Sequence, residues 1–256
     1  MTRTPRSRAR RPVLAVAGLA AAIAVVCTLA LWRPWATAEP TVSRAEAGPA
    51  DAAAVPSVAL PAHPRVLVFG DSWTWGAAAT LPTEGFAYVL AGLLDAETVV
   101  EGVPGSGYLV PGAEGIGTYG QRIARLDPEP DIDLIVVQGS INDRRVPGTG
   151  YADAVTAAWD DLAARYPGIP VVILGPAPQV LPVETATARI DRELAGLAAG
   201  QGWPYVSPLR EEWITPEDYD WIIDTGEIGR NHPTTAGHAY LAERVAAAIE
   251  GLAPAS

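Results

Sequence analysis

Val66-Leu67-Val68-Phe69-Gly70-Asp71-Ser72 is the stretch that decides how this 256-residue chain folds. Its first four residues are apolar and mostly β-branched or aromatic, which predicts a buried strand. Gly70 ends the strand, and Asp71 and Ser72 follow at its carboxyl end. In open α/β sheets, ligands bind at the carboxyl ends of the strands. A serine on a strand-to-helix turn can be surrounded by converging backbone N–H groups. The alternative is a simple turn or helix cap built from Asp71 and Ser72.

The chain beyond this stretch alternates between strand-like and helix-like patterns. Strands are predicted at 66–69, 98–100, 132–138, 171–174 and 204–206, and helices at 85–94, 119–126, 152–166, 183–199 and 239–252. Residues 211–223 are predicted to be irregular. Alternation of this kind predicts an α/β fold in which a parallel sheet is covered by helices on both faces.

Charge and cysteine content narrow the function classes. Of the 18 basic residues, all arginine, six lie in residues 1–38, which leaves twelve against 29 acidic residues in the remainder and a formal net charge of −17 there. A surface so acidic argues against nucleic acid as a partner. Cys27 is the only cysteine, so neither an intrachain disulfide nor a cysteine-based zinc site can form.

The first 63 residues predict export. Residues 1–11 form a basic, cytoplasmic N-terminus, and residues 12–32 are an apolar run long enough to cross a bilayer. We expect a single-pass signal anchor with the main domain outside the cytoplasm, or a secreted protein if a signal peptide is cleaved after Ala38. Residues 33–63 are predicted to be an Ala/Pro-rich linker, and residues 64–254 the main domain.

Three further polar segments follow strands or precede a helix. Residues 101–108 form a glycine-rich loop that fits neither the dinucleotide fingerprint nor the P-loop, and a loop needing positive φ is the alternative. Asn142 follows the clearest buried strand and offers an N–H donor to the cleft of Ser72, although an Asn-Asp turn would explain it too. His232 precedes the last helix and can point into the same cleft, whereas His238 is expected to be structural.

These residues fit the chemistry of acyl transfer. A serine hydroxyl becomes a nucleophile when a base removes its proton, and histidine is the usual base near neutral pH. The oxyanion that develops then needs preorganised hydrogen-bond donors. Ser72, His232, a glycine-rich loop and Asn142 supply each of these parts. The reaction calls for no metal and no organic cofactor.

In four blocks the sequence resembles the SGNH/GDSL hydrolase family. The blocks are Gly70-Asp71-Ser72-Trp73, residues 100–107, Ser140-Ile141-Asn142-Asp143, and His232-Pro233 with Gly237-His238. They occur in the family's order over residues 65–250. The resemblance implies a three-layer α/β/α sandwich of flavodoxin-like SGNH type that hydrolyses esters. It also implies Ser72 as nucleophile, His232 as base, and an oxyanion hole formed by the Ser72 backbone, Gly105 and Asn142.

Two positions depart from the family pattern. Ser140 stands where the third block has glycine, a mild exchange because Asn142 is kept. Gly229 stands where the family has the aspartate that orients the catalytic histidine. We predict that Asp224 replaces this aspartate as the third catalytic residue. A Ser-His dyad assisted by a backbone carbonyl is the competing account.

The sequence is therefore consistent with three functions. The first is a serine esterase acting outside the cytoplasm on short-chain acyl esters, with acetyl groups on carbohydrate as one candidate substrate. The second is a cell-envelope O-acyltransferase that uses the same residues. The third is a non-catalytic carbohydrate-binding domain, suggested by Trp73, Trp75, Trp213 and Trp221. The sequence indicates a membrane association through its N-terminal helix and no particular oligomeric state.

Overall fold

Five parallel strands form the centre of the computed structural model, which describes residues 57–127 and 131–254. They are β1 (Arg65–Gly70), β2 (Glu97–Gly102), β3 (Leu134–Gln138), β4 (Val171–Leu174) and β5 (Tyr205–Val206). Their spatial order is β2-β1-β3-β4-β5, and each neighbouring pair is parallel. The chain moves outward from β1 to β2 and then resumes on the other side of β1 with β3. The sheet therefore has its topological switch point between β1 and β3, where ligand sites of open α/β sheets lie.

Helices cover both faces of the sheet. The longer helices are α2 (Phe86–Leu93), α4 (Tyr151–Arg165), α5 (Thr185–Gln201) and α7 (Thr235–Glu250), and the short ones are α1 (Ser72–Trp75), α3 (Tyr119–Ile123) and α6 (Tyr219–Ile222). Short 3₁₀ helices occupy Pro82–Glu84, Ala113–Gly115 and Ile141–Arg145.

Alternate side chains of each strand enter two separate cores. Val66 and Val68 of β1 pack with α2 and α7 on one face, whereas Leu67 and Phe69 pack with α3, α4 and α5 on the other. All four side chains are buried. A strand covered on both faces must be apolar at every position, which explains the unbroken run at 66–69. The predicted three-layer α/β/α sandwich is confirmed.

The turn after β1 is tightly constrained. Asp71 caps α1 by accepting a hydrogen bond from the Trp73 backbone N–H to Oδ1 at 2.9 Å, and Gly76 ends the helix with φ of +88°. The last residue of β2, Gly102, lies against this helix, and a Cβ atom there would be 2.3 Å from the Trp75 nitrogen. The periodicity of the sequence does not reveal α1, because a four-residue helix is shorter than two turns.

The C-terminal part differs from the sequence prediction in two places. Within residues 211–223, predicted to be irregular, the chain forms α6 and then β6 (Ile223–Asp224), which pairs antiparallel with β7 (His232–Pro233). The last helix begins at Thr235 instead of residue 239, because the Thr234 hydroxyl accepts the Gly237 N–H at 2.9 Å and caps it.

The end of the predicted linker belongs to the domain. Val58 is buried in the core beside α7, and its N–H donates to the Leu252 carbonyl oxygen at 2.7 Å. The predicted basic N-terminus, the predicted membrane-spanning run at 12–32 and most of the linker lie outside the described residues. Among residues 57–127 and 131–254, every helix is too short or too polar to traverse a lipid bilayer.

Candidate active site

Ser72 begins α1 directly beyond the carboxyl end of β1. The Asp71 cap and the αL residue Gly76 fix this helix at both ends. Ser72 is almost buried, with 5% of its surface exposed. Its hydroxyl is therefore held on a short turn, capped at both ends, at the switch point of the sheet.

The hydroxyl of Ser72 meets the ring of His232, which lies 160 residues further along the chain. The Ser72 Oγ and His232 Nε2 atoms are 2.8 Å apart, and His232 Nδ1 lies 2.7 Å from the carbonyl oxygen of Gly229. A carbonyl oxygen can only accept, so Nδ1 carries the ring proton and Nε2 presents its lone pair to the serine hydroxyl. This is the tautomer that a general base needs to deprotonate Ser72.

Asp224, the predicted third catalytic residue, does not contact the imidazole. Its Oδ1 accepts the Gly226 N–H at 2.8 Å, and its backbone pairs with His232 across the β6–β7 ladder. The side chain lies behind Gly229, where a Cβ atom would be 2.1 Å from Asp224 Cγ. The prediction that Asp224 orients the ring is therefore not supported by the geometry. The Gly229 carbonyl takes that position, as in the competing dyad account.

The surroundings of His232 favour its neutral form. Burial lowers the pKa of His232, the hydrogen bonds with the Gly229 and Arg230 backbone partly oppose this effect, and the positive charges of Arg145 and Arg144 lower the pKa further. The base is therefore ready to accept a proton at neutral pH.

The predicted oxyanion donors follow the two strands that flank β1. Gly105 lies in the loop after β2 with φ of +75°, a conformation that side-chain-bearing residues rarely adopt. Asn142 lies in the 3₁₀ helix after β3 and is buried. Its Nδ2 donates to the Ser106 carbonyl oxygen at 3.0 Å, and since an amide nitrogen has two hydrogens, a second one remains for an oxyanion.

A buried carboxylate that the sequence analysis missed holds the loop that bears Gly105. Asp143 accepts the backbone N–H groups of Tyr108, Leu109 and Val110 at 2.7, 2.9 and 3.2 Å. Burial raises the pKa of Asp143, and these hydrogen bonds together with Ser140 oppose the rise. Its position next to Asn142, in the segment that follows a buried strand, is the sequence feature that could have identified Asp143 as a functional residue. Asp143 thus ties the loop after β2 to the helix after β3.

Arg122 was also missed, because it lies on a helix with no predicted role. Its Nη1 donates to the Gly70 carbonyl oxygen at 2.8 Å and to Ser106 Oγ at 3.0 Å. The guanidinium also lies 4.2 Å from the centroid of the Phe69 ring. This buried cation therefore links the end of β1 to the loop that contains Gly105.

Asp71 is fully buried beside the nucleophile. Burial raises its pKa to about 7, although the Trp73 N–H and the charge of Arg122 act in the opposite direction. Within the described part of the chain its Oδ2 has no hydrogen-bond partner. Near neutral pH this carboxyl group is therefore only partly ionised, which weakens its repulsion of negative charge that develops nearby.

His238, Trp73 and Trp213 are structural, whereas two further tryptophans lie at the surface. His238 is buried, accepts the Phe86 N–H at Nδ1 and donates from Nε2 to the Ala77 carbonyl oxygen, as expected for a structural histidine. Trp73 and Trp213 are buried in the core and cannot stack on a sugar, whereas Trp75 and Trp221 are exposed. In residues 57–127 and 131–254, no cluster of three His, Cys, Asp or Glu side chains is placed to hold a metal ion.

A family model and a known protein match most of this sequence. The model of the GDSL-like Lipase/Acylhydrolase family matches residues 68–240. The GDSL lipase Rv0518 of Mycobacterium tuberculosis is 28% identical over 195 residues, which cover 72% of this chain and 80% of that protein.

Solved structures share the fold at low sequence identity. The native aryl esterase of M. smegmatis is 20% identical with a TM-score of 0.57, over 74% of this chain and 99% of that one. A carbohydrate acetylesterase family member from Sinorhizobium meliloti is 17% identical with a TM-score of 0.58, and the match covers 74% of this chain and 98% of that one. The salicylyl-acyltransferase SsfX3 is 17% identical with a TM-score of 0.57, and the match covers 75% of this chain and 55% of that one.

The lowered pKa of His232 predicts an unusual pH profile. Hydrolysis of p-nitrophenyl acetate should persist below pH 6.5, because His232 must be neutral to act as base and becomes protonated only as pH falls through its lowered pKa. Arg145→Gln removes a nearby positive charge and should shift the acid limb of kcat/KM upward by roughly 0.3 pH unit. Arg125→Gln, which removes a guanidinium that donates to the Ile116 carbonyl oxygen, is the control. An acid limb at or above 6.5 in the wild type contradicts this account.

Two substitutions at Asp224 separate a loop anchor from a charged catalytic partner. Asp224→Asn keeps the oxygen that accepts the Gly226 N–H and should retain kcat within about threefold, whereas Asp224→Ala releases the loop and should lower kcat by roughly 10-fold. If the carboxylate charge supported His232, Asn would be as damaging as Ala, with losses approaching about 10⁴-fold. Steady-state kinetics on both variants decide.

Proposed function

This chain belongs to the GDSL-like lipase/acylhydrolase family, and we propose that it is a serine esterase that removes short acyl groups through a Ser72 acyl-enzyme. The observation that carries the proposal is the 2.8 Å contact between Ser72 Oγ and His232 Nε2, with Nδ1 fixed by the Gly229 carbonyl. Nucleophile and base are thus within hydrogen-bond reach, and the base is oriented by a third group.

Acylation follows from this arrangement. His232 Nε2 takes the proton of Ser72 as Oγ attacks the ester carbonyl carbon, and the carbonyl oxygen becomes an oxyanion. The Ser72 backbone N–H, the Gly105 N–H and Asn142 Nδ2 are proposed to stabilise that charge. When the tetrahedral intermediate collapses, the ester C–O bond breaks and the leaving alcohol receives the proton from His232.

Deacylation repeats the same steps with water. His232 takes a proton from water as the water oxygen attacks the acyl-enzyme, and the proton returns to Ser72 Oγ when the acid leaves. A hydroxyl-bearing acceptor in place of water would make the protein an acyltransferase, so acceptor-dependent turnover with little hydrolysis is the result that would favour this second function.

The Gly229 carbonyl supports catalysis without a carboxylate. In Ser-His-Asp enzymes, replacing the aspartate by asparagine leaves the imidazole in the wrong tautomer and lowers kcat by about 10⁴-fold. Here the carbonyl accepts from Nδ1 and therefore keeps the productive tautomer. What is missing is a full negative charge beside the imidazolium, which a neutral dipole replaces only in part. We therefore propose a functional dyad that is slower than a complete triad.

The substrate is proposed to carry a short acyl group, with acetyl as the reference. Sugar hydroxyls are one candidate for its alcohol part, supported by the fold shared with the Sinorhizobium meliloti carbohydrate acetylesterase. A protein that only binds carbohydrate is the third hypothesis, and Ser72-dependent turnover would exclude it.

We further propose that the domain acts outside the cytoplasm, held at the membrane by residues 12–32 or released after cleavage at Ala38. Six arginines before or beside this apolar run, and no acidic residue up to position 38, support the orientation. The full chain should sediment with membranes and be digested by protease added to intact spheroplasts, or appear in the medium. A protected, soluble cytoplasmic protein would contradict the proposal.

Ser72→Ala tests the proposed reaction directly. The variant should lose p-nitrophenyl acetate hydrolysis by at least about 10³-fold, since no nucleophile remains to form the acyl-enzyme. Ser207→Ala is a matched control, because Ser207 is equally buried and its Oγ donates to Asp191 Oδ1 at 2.6 Å. Equal activity of Ser72→Ala and wild type would refute the serine esterase mechanism.

A further inference from the structure

Two buried polar atoms flank the nucleophile in sequence and have no hydrogen-bond partner among residues 57–127 and 131–254. They are Oδ2 of Asp71, the residue directly before Ser72, and Nε1 of Trp73, the residue directly after it. Buried polar groups are nearly always satisfied, so an exception beside a reactive residue calls for a physical explanation. An indole N–H stays neutral, whereas a carboxyl group can gain or lose a proton. Of the two, Asp71 is therefore the one whose state can change with pH.

One oxygen of Asp71 has a structural task. Oδ1 accepts the Trp73 N–H at 2.9 Å and thereby caps α1, the helix that begins with Ser72. With the Gln138 amide oriented so that its nitrogen donates, Oδ1 accepts a second hydrogen bond at 3.1 Å. These contacts need only a lone pair on Oδ1. They are therefore available to a neutral carboxyl group as well as to a carboxylate.

The other oxygen, Oδ2, lies among groups that give their hydrogens elsewhere. A Cβ atom placed on Gly139 would be 3.4 Å from Oδ2 and 2.5 Å from the Tyr119 hydroxyl oxygen, so both residues are its neighbours. The Gly139 N–H donates to the Leu174 carbonyl oxygen at 3.1 Å. The Tyr119 hydroxyl donates to the Gln138 carbonyl oxygen at 2.9 Å. A full negative charge on Oδ2 would therefore be buried without a donor, which costs far more than burying a neutral acid.

Charged and titratable groups from two elements face Asp71. Arg122 of α3 attracts its carboxylate form, but this guanidinium donates its hydrogen bonds to β1, to β2 and to the loop after β2. On the 3₁₀ helix after β3, Asp143 repels the carboxylate and Arg144 attracts it. Burial keeps Tyr119 uncharged, because it raises the pKa of this residue well above its ordinary value. Burial of Asp71 itself outweighs the attractions and raises its pKa to about 7.

The covalent chain places the Asp71 carboxyl group close to the reacting atoms. Its Cβ, its Cα and its carbonyl carbon are all that separate this group from the Ser72 nitrogen. The Ser72 N–H is one of the proposed oxyanion donors, so a carboxylate at Asp71 would oppose the negative charge that forms there. A neutral carboxyl group keeps the cap on α1 and adds no such repulsion.

We propose that Asp71 is a positioning residue that serves the reaction as an uncharged acid, holding the Ser72 turn through Oδ1 while Oδ2 carries a proton. Loss of that proton at alkaline pH places an unpaired negative charge beside the oxyanion and lowers turnover. The inference rests on the proposed esterase function and deepens it. Besides the titration of His232 at acid pH, the enzyme has a second one that belongs to the residue before its nucleophile.

The pH dependence of phenyl acetate hydrolysis, followed by acid release at constant pH with the full-length protein, tests this role. In the wild type, kcat/KM should fall roughly 10-fold between pH 6.5 and 8.5, because Asp71 ionises over this interval with a pKa of about 7. Asp71→Asn keeps an oxygen that accepts the Trp73 N–H but cannot ionise, so its kcat/KM should change less than about twofold over the same interval. Asp71→Ser, which also retains a capping oxygen, should behave in the same way.

Asp191→Asn is the matched control for these variants. Asp191 is also buried and its Oδ1 accepts the Ser207 hydroxyl at 2.6 Å. Its replacement should therefore keep the decline in kcat/KM that the wild type shows between pH 6.5 and 8.5. A wild type whose kcat/KM stays level or rises over this interval overturns the inference, and so does an Asp71→Asn variant that retains the decline. Ser72-dependent turnover leaves the esterase function standing in both cases.

Urea unfolding gives a second readout that does not depend on turnover. Because the pKa of Asp71 is raised to about 7 in the folded protein, the native state holds a proton that the unfolded state has lost. The stability of the wild type should therefore decrease as pH rises from 5 to 8, and Asp71→Asn should lose less over the same range. Equal losses in the two proteins contradict the inference. If no ester is hydrolysed in a Ser72-dependent manner, the proposed function fails and the inference fails with it.

Discussion

The hydrogen bond from His232 Nδ1–H to the Gly229 carbonyl oxygen, 2.7 Å long, is the contact on which the site depends. It selects the ring tautomer, and it also dictates the shape of the chain between β6 and β7. To bring a carbonyl three residues back onto its own imidazole, the loop must turn sharply, and Arg230 and Asn231 adopt positive φ values of 49° and 62°. The Asn231 N–H closes the loop on the Asp224 carbonyl oxygen at 2.8 Å.

The parallel sheet supplies the other half of the site. Strands β2, β1 and β3 end at the same edge, so the segments that bear Gly105, Ser72 and Asn142 all leave the sheet there, although these residues are far apart in sequence. Two buried charges then hold the loops in register. Asp143 gathers the backbone N–H groups of the loop after β2, and Arg122 binds the carbonyl end of β1 to the same loop. Each of these ions is compensated by main-chain partners, as burial requires.

Much of this could be predicted from the sequence, and the rest could not for physical reasons. Apolar runs such as 66–69 identify the strands because both faces of a parallel strand are buried, and Ser72 and His232 follow from the chemistry of their side chains. Asp224 was misassigned because every residue has a carbonyl oxygen, so sequence does not show that Gly229 supplies the acceptor. The two-residue strands β6 and β7 are too short for any periodicity. The fold class and the sheet edge that carries the site were therefore predictable, whereas the hydrogen-bond partner of His232 was not.

An acceptor that belongs to the polypeptide backbone has an evolutionary consequence. A codon change can delete an aspartate, but no codon change deletes a peptide carbonyl, so the third member of this site is immune to direct loss. The substitutions that matter are instead those that displace the carbonyl group. Gly229 is such a position, because a Cβ atom there would lie 2.1 Å from Asp224 Cγ. Every missense change at this codon inserts atoms into space that the Asp224 side chain occupies, so a substitution at Gly229 requires that side chain to move or to be replaced.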